Sequence, residues 1–167
     1  MPNKLESLND LFVDELRDLY NAENQLVKAL PKMAQAASSP DLRNALEEHL
    51  NQTKTQIERL DKVFRSLDVP ERGKECVGMK GIIQEGQEVL KEGASPSVKD
   101  AGIITAAQKT EHYEIAGYGS VCTFAEQLGY DDQAKLLKQN LSEEKKADEL
   151  LTKIAERHVN KEAKRGE

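Results

Sequence analysis

LESLNDLFVDELRDLYNAENQLVKALPKMAQAA (residues 5–37) places Leu5, Phe12, Leu19, Leu26 and Met33 seven residues apart, with Leu16 and Leu30 between them as a second position of the same seam. Apolar residues at that spacing share one face of an α-helix, so the stretch reads as one long core-facing helix over about 5–37. Pro31 lies inside it and removes the hydrogen bond to the Val27 carbonyl, which predicts a kink or a local widening rather than a stop. The seam position between Leu16 and Leu30 is Glu23, a carboxylate where the pattern demands a leucine.

Working outward from this helix, Ser38-Ser39-Pro40-Asp41 offers a helix N-cap followed by a first-turn proline. A second helix is predicted over about 41–67, with Leu42, Leu46, Leu60, Val63 and Leu67 on its seam, and the short connection makes it an antiparallel neighbour of the first. Beyond Val69-Pro70-Glu71-Arg72-Gly73 a short helix is predicted over about 79–91, with Ile82, Ile83, Val89 and Leu90 as one apolar edge. Ser95-Pro96-Ser97 opens a third long helix over 97–128, carrying Ile104, Ile115, Cys122 and Ala125 and closed by Leu128-Gly129. A fourth runs over 131–160 through Leu137, Leu141, Leu151 and Ala155, then frays into a solvated mixed-charge tail, Lys161 to Glu167. A helix of about 30 residues is roughly 45 Å long, and the chain from Pro70 to Pro96 is long enough to travel that distance. The pattern therefore favours an all-α, ferritin-like four-helix bundle whose long crossover contains a short extra helix, over a simple up-down-up-down bundle. The 167 residues form a single domain on this reading.

Composition agrees and narrows the function. The chain is 38% hydrophobic and 32% charged, with 4% aromatic residues and no Trp, a balance that suits amphipathic helices better than strands. A net charge of −6 provides no basic field for a polyanion, so nucleic acid is not expected as a partner. Two cysteines, Cys76 and Cys122, make neither a metal-type pair nor a disulfide framework, which fits a reducing cytoplasm. No apolar run approaches the roughly 18 residues of a membrane span, and the N-terminal residues enter a charged stretch directly. No membrane or export is expected.

Glu23 is not alone. Glu111 and Glu114, three apart, share a face of the third long helix, and Glu144 and Asp148, four apart, share a face of the fourth. The second helix supplies His49, Thr53 and Gln56 on its seam, with Gln52 beside them. Counted from the helix ends that would share one end of the bundle, all four helices bring polar groups to one level, with His49 about a turn above it. Any one such Glu, taken alone, is most simply a carboxylate that snorkels to solvent. Five carboxylates at one level of an apolar core cannot all stay ionised unaided, and a pair of hard divalent ions, Fe or Mn, would balance them. His49 fits either a ligand or a satisfied core histidine. Tyr20, Tyr113 and Tyr118 fit either donors to ligand carboxylates or core phenols. His112 and His158 read as exposed or terminal, Cys122 as core packing, and Cys76 has no visible partner.

Leu-Tyr-Asn-Ala-Glu-Asn-Gln-Leu (19–26), Glu-His-Leu-Asn-Gln-Thr (48–53), Gln-Lys-Thr-Glu-His-Tyr-Glu-Ile-Ala (108–116), Ala-Glu-Gln-Leu-Gly-Tyr (125–130), Glu-Glu-Lys-Lys-Ala-Asp (143–148) and Cys76-Val77-Gly78-Met79 together resemble the YciE/YciF family of bacterial stress-induced proteins along nearly the whole chain. The resemblance implies a ferritin-like bundle, usually a homodimer, with a rubrerythrin-like metal site and no firmly assigned activity. Glu23, Glu111, Glu114, Glu144 and Asp148 match the family's acidic pattern and His49 its histidine. Gln52 departs from it, standing where family members carry a Glu. The general di-iron pattern of Glu-x-x-His on two helices is also missing from the second and fourth. An amide ligates through its carbonyl oxygen but bridges poorly, which would leave one of two metal positions weak. Two functions follow as expectations: a di-metal carboxylate protein that uses O₂ or peroxide, or a non-catalytic oligomeric stress protein with a vestigial site. Storage in a hollow cage is a weaker third.

Overall fold

The computed structural model of the chain describes residues 4–166; Met1, Pro2, Asn3 and the tail residue Glu167 lie outside the described residues. Ser7 opens the first helix, α1 (Leu8–Ala36), through a capping box in which its hydroxyl accepts from the Asp10 amide and the Asp10 carboxylate accepts from the Ser7 amide. Leu5 therefore precedes the helix and is 49% exposed, so the seam begins at Phe12. The helix passes Pro31 as a continuous α-helix, and the expected local widening is not there.

Ser39 caps α2 (Pro40–Leu67) by accepting from the Leu42 amide, and Asp68 ends it in the left-handed region at φ 53°. Asp tolerates that conformation better than most side chains. The short helix, α3 (Val77–Lys91), begins two residues earlier than its apolar pattern, capped by Cys76. The third long helix, α4 (Pro96–Gln127), closes through Gly129 at φ 76°, where the Tyr130 amide reaches back to the Ala125 carbonyl. Ser95 occupies the N-cap of α4 without a side-chain capping bond. The last long helix, α5 (Asp131–Ile154), widens into a π-turn at Ala155–Val159 and continues as α6 (Asn160–Arg165). The tail is solvated but does not fray until Gly166, because helical hydrogen bonding carries past the last core residue, Val159.

Topology follows from two long-range hydrogen bonds near the helix ends. Asp100, in the first turns of α4, accepts from the Ser38 and Ser39 amides at 2.8 Å each, so α4 starts at the end where α2 starts. Arg17 Nε donates to the Pro70 carbonyl at 2.9 Å, which anchors the outgoing crossover at the other end. The segment between α2 and α4 therefore spans the length of the molecule with α3 inside it. α1 packs on α2 and α4, α5 packs on the same two, and α3 lies over α4 and α1. Asp100 is 3% exposed and is the acceptor of two otherwise orphaned amides. We expect Asp100→Ala to lower stability by about 3 kcal/mol in urea denaturation, the scale of charged hydrogen bonds lost together with desolvated donors.

Cys76 has partners after all. Its amide donates to Asn21 Oδ1 at 2.8 Å, its thiol lies 3.3 Å from Asp18 Oδ2, and Tyr113 Oη sits 3.1 Å from the sulfur. Tyr113 donates to the same Asp18 oxygen at 2.6 Å. Gly78 permits this knot, because a Cβ there would come within 2.6 Å of the Tyr113 ring. Burial holds the Cys76 thiol above its ordinary pKa, so it acts as a neutral donor that ties the crossover to α1 and α4.

The core is divided. One apolar cluster gathers Leu26, Leu30, Leu42, Leu46, Ile103, Ile104 and Leu151; the other gathers Phe12, Leu16, Leu19, Leu60, Phe64, Tyr118 and Leu137. Glu23, Thr53, Gln56, Glu111, Glu114, Asn140 and Glu144, all essentially inaccessible, form a polar layer between the two.

Candidate metal centre

Each long helix contributes to this layer at a position where its seam would otherwise bury a leucine. His49, Glu111, Glu114 and Glu144 each offer one ligand atom, and these atoms all lie within 4.8 Å of one another. Glu23 enters from α1, in contact with Glu114, and accepts from Tyr118 Oη at 2.6 Å. Glu23 Oε2, Glu111 Oε2 and both oxygens of Glu114 and Glu144 are buried without a hydrogen-bond partner. Orphaned carboxylate oxygens in an apolar interior require protons or cations between them.

His49 Nδ1 is 3.3 Å from Gln52 Oε1, an oxygen that only accepts, so a hydrogen on Nδ1 would face it and leave Nε2 for a proton or a metal ion. Nε2 lies 3.0 Å from Glu111 Oε1 and 3.7 Å from Glu144 Oε2. Two carboxylates this close to a ring nitrogen call for a positive centre there, an imidazolium proton or a metal ion. Oxygen ligands with one imidazole suit a hard or borderline divalent cation, and these residues fit one.

Electrostatics say the same. Burial, then the neighbouring Glu144, push the Glu23 carboxyl up to about 8, and burial pushes Glu111 up to about 7. Burial and mutual repulsion hold Glu114 and Glu144 well above the carboxylate range.

Two of the expected residues stand apart from the converging group. Gln52 spends its carbonyl oxygen on His49 Nδ1, so it orients the imidazole rather than facing the glutamates. Asp148 is 20% exposed and pairs with His112 Nε2 at 3.2 Å, with Oδ1 buried and unpartnered; it lies at the rim, where its charge raises Glu111. Tyr118 alone of the three tyrosines donates to a carboxylate of the layer. Tyr113 belongs to the Cys76 knot, and Tyr20 packs edge-on against Phe64 and turns toward Asp61, so it has no access to the centre.

Asn140 escaped the sequence reading. Arg59 Nη1 donates to Asn140 Oδ1 at 2.8 Å, Asn140 Nδ2 donates to Tyr118 Oη at 3.2 Å, and Tyr118 donates to Glu23. All three bonds point inward from a cation that Glu143 holds near the surface. Only an inward polar position three residues after Leu137 on α5 hinted at it. The chain of donors fixes the Glu23 carboxylate, and we expect Arg59→Met to weaken metal binding by tenfold or more in equilibrium dialysis with Co²⁺, as for other residues that orient ligands. Its part-exposed pair with Glu143 should cost less than about 1 kcal/mol of stability.

Residues 7–164 match the family described as a domain of unknown function, DUF892. The chain is 47% identical to protein YciF of Escherichia coli strain K12 over 160 residues, 95% of this chain and 96% of that one. The crystal structure of that stress protein superposes with a TM-score of 0.90 over 93% of this chain and 99% of its own. YcfI of Rhodopseudomonas palustris, for which a structural role has been suggested, superposes with a TM-score of 0.88 at 44% identity, over 91% of this chain and 97% of its own. A Xanthomonas campestris protein at 19% identity shares the fold, with a TM-score of 0.75. By sequence along nearly its whole length and by fold, the chain belongs to the YciF family, DUF892.

Proposed function

We propose that this is a ferritin-like four-helix-bundle stress protein that holds a pair of Fe or Mn ions in its polar layer and uses them against O₂ or peroxide, oxidising Fe²⁺ or reducing peroxide. The observation that carries this reading is the convergence of one ligand atom each from His49, Glu111, Glu114 and Glu144 within 4.8 Å, among orphaned buried oxygens. When bound, such ions supply one-electron exchange with the oxidant. The chain's own residues do the rest. Glu111, Glu114 and Glu144 with His49 would hold the charge, Glu23 closes the set from α1, and Gln52 orients the imidazole. Tyr118 orients Glu23, and the apolar clusters on either side keep bulk water out. With Gln52 turned to His49, fewer oxygens would remain to hold a second ion.

Buried free thiols at Cys76 and Cys122 support a reducing, cytoplasmic setting, and no described helix is long and apolar enough to cross a membrane. The suggested structural role of the Rhodopseudomonas relative favours a second reading, an oligomeric protein whose layer is held by protons.

Elemental analysis of protein expressed with added iron separates the two, with the Glu111→Ala, Glu144→Ala double variant as control. About two ions per chain, lost in the variant, are expected; one ion would mark the Gln52 side as the weak half. No metal in the wild type would leave only the structural reading.

A further inference from the structure

The centre is sealed along most of its perimeter. Glu23, Glu114 and Glu144 are fully inaccessible, and the two apolar clusters close the layer above and below. Between α2 and α5, however, a surface cleft of about 160 Å³ reaches His49, Gln52 and Glu111. A water needs only about 10–15 Å³ by the same measure, so the cleft has room for several. Ala147 forms a low wall, and Glu48 and Lys146 stand at the mouth beside Leu150, an apolar side chain left 41% exposed.

We propose that this cleft is the port through which a hydrated cation, and then an oxidant of a few heavy atoms, reaches the His49–Glu111 side of the centre. The inference rests on the metal-binding reading and goes beyond it by assigning the route and the size class of what enters. A hydrated ion must exchange its waters for protein oxygens on the way in, and the cleft offers them in order. Glu48 offers carboxylate oxygens at the mouth, where Lys146 also stands, and Glu111 lies deeper, beside the His49 imidazole. The short Ala147 side chain leaves that path open, and its place on the wall makes size there decisive. The port also explains why His49 and Glu111 retain slight exposure of 4% and 1% while Glu23, Glu114 and Glu144 have none.

Co²⁺ is the probe, since its visible absorption changes when protein ligands replace water. Rapid mixing with metal-free protein gives an uptake rate, and the plateau gives the stoichiometry. We expect Ala147→Phe and, independently, Leu150→Trp to slow uptake at least tenfold while the plateau stays that of the wild type. Ile82→Trp, which fills a different groove between α1, α3 and α4, is expected to leave the rate unchanged. Thermal unfolding of each variant confirms that slow uptake is not misfolding. Wild-type rates in both port variants, with full Co²⁺ binding, overturn the port and leave the centre standing, as does equal slowing by Ile82→Trp. No Co²⁺ bound by the wild type overturns the metal reading and the port together.

Discussion

Stripped of metal with a chelator, the protein is expected to lose stability steadily as the pH rises from about 5 to 8, and to regain it when a divalent ion is added. The carboxyls of the polar layer are the reason. Burial and mutual repulsion raise Glu111 to about 7 and Glu23 to about 8 from an ordinary value of 4.5, and hold Glu114 and Glu144 well above that ordinary value. The unfolded chain releases these protons near pH 4.5, whereas the folded chain keeps them, so between the two values the folded state binds more protons. Stability is then fully present below about 4.5 and falls as the pH climbs through the folded values, by about 1.4 kcal/mol per pH unit for each carboxyl so held. Most small proteins are most stable between about 5 and 8, so a fall across that window is diagnostic. A cation that binds only the folded protein replaces the protons and adds about 4 kcal/mol at a thousandfold excess over its dissociation constant. Urea denaturation at pH 5, 6, 7 and 8, with and without Mn²⁺, reads both effects. A metal-free stability that is flat across that range would mean that the layer is solvated or ion-paired in a way the structure does not show.

Much of this centre was legible because its members interrupt a regular pattern. Glu23 stands in a seam of Phe12, Leu16, Leu19, Leu26 and Leu30, all fully buried. Glu111, Glu114 and Glu144 are legible in the same way, and counting residues from the helix ends that share one end of the bundle put all of them at one depth. His49 looked a turn too high because counting from helix ends assumes the helices start level; the imidazole is long enough to reach the glutamates from where it sits. Residues that work through distant partners left no periodic trace. Cys76 meets Asp18 and Tyr113, 58 and 37 positions away, and Asn140 meets Tyr118 and Arg59 on other helices. Tyr20 and Tyr118 looked equivalent in sequence, and only the rotation of α1 about its axis, which packs Tyr20 on Phe64, separated them.

Replacing Glu114 and Glu144 together by Met is expected to raise the stability of the metal-free protein at pH 7 while abolishing its response to added ions. Both side chains are fully inaccessible, burial and neighbouring carboxyls hold both well above the ordinary carboxylate range, and no donor from the rest of the protein reaches either oxygen of either one. Methionine has nearly the length of glutamate and asks nothing of its surroundings, so the exchange removes desolvated polar groups without opening a large void. Buried ionisable clusters replaced in this way gain about 1–4 kcal/mol. Joining the two apolar clusters into one continuous core adds contacts that the polar layer now interrupts. A gain would mean that the folded chain carries this layer at a cost to its own stability, which selection tolerates where the layer binds something. A clear loss, with the pH slope of the metal-free protein flattened in the variant, would mean that the carboxyls hold the helices together through shared protons, and the structural reading would then account for the layer without an ion.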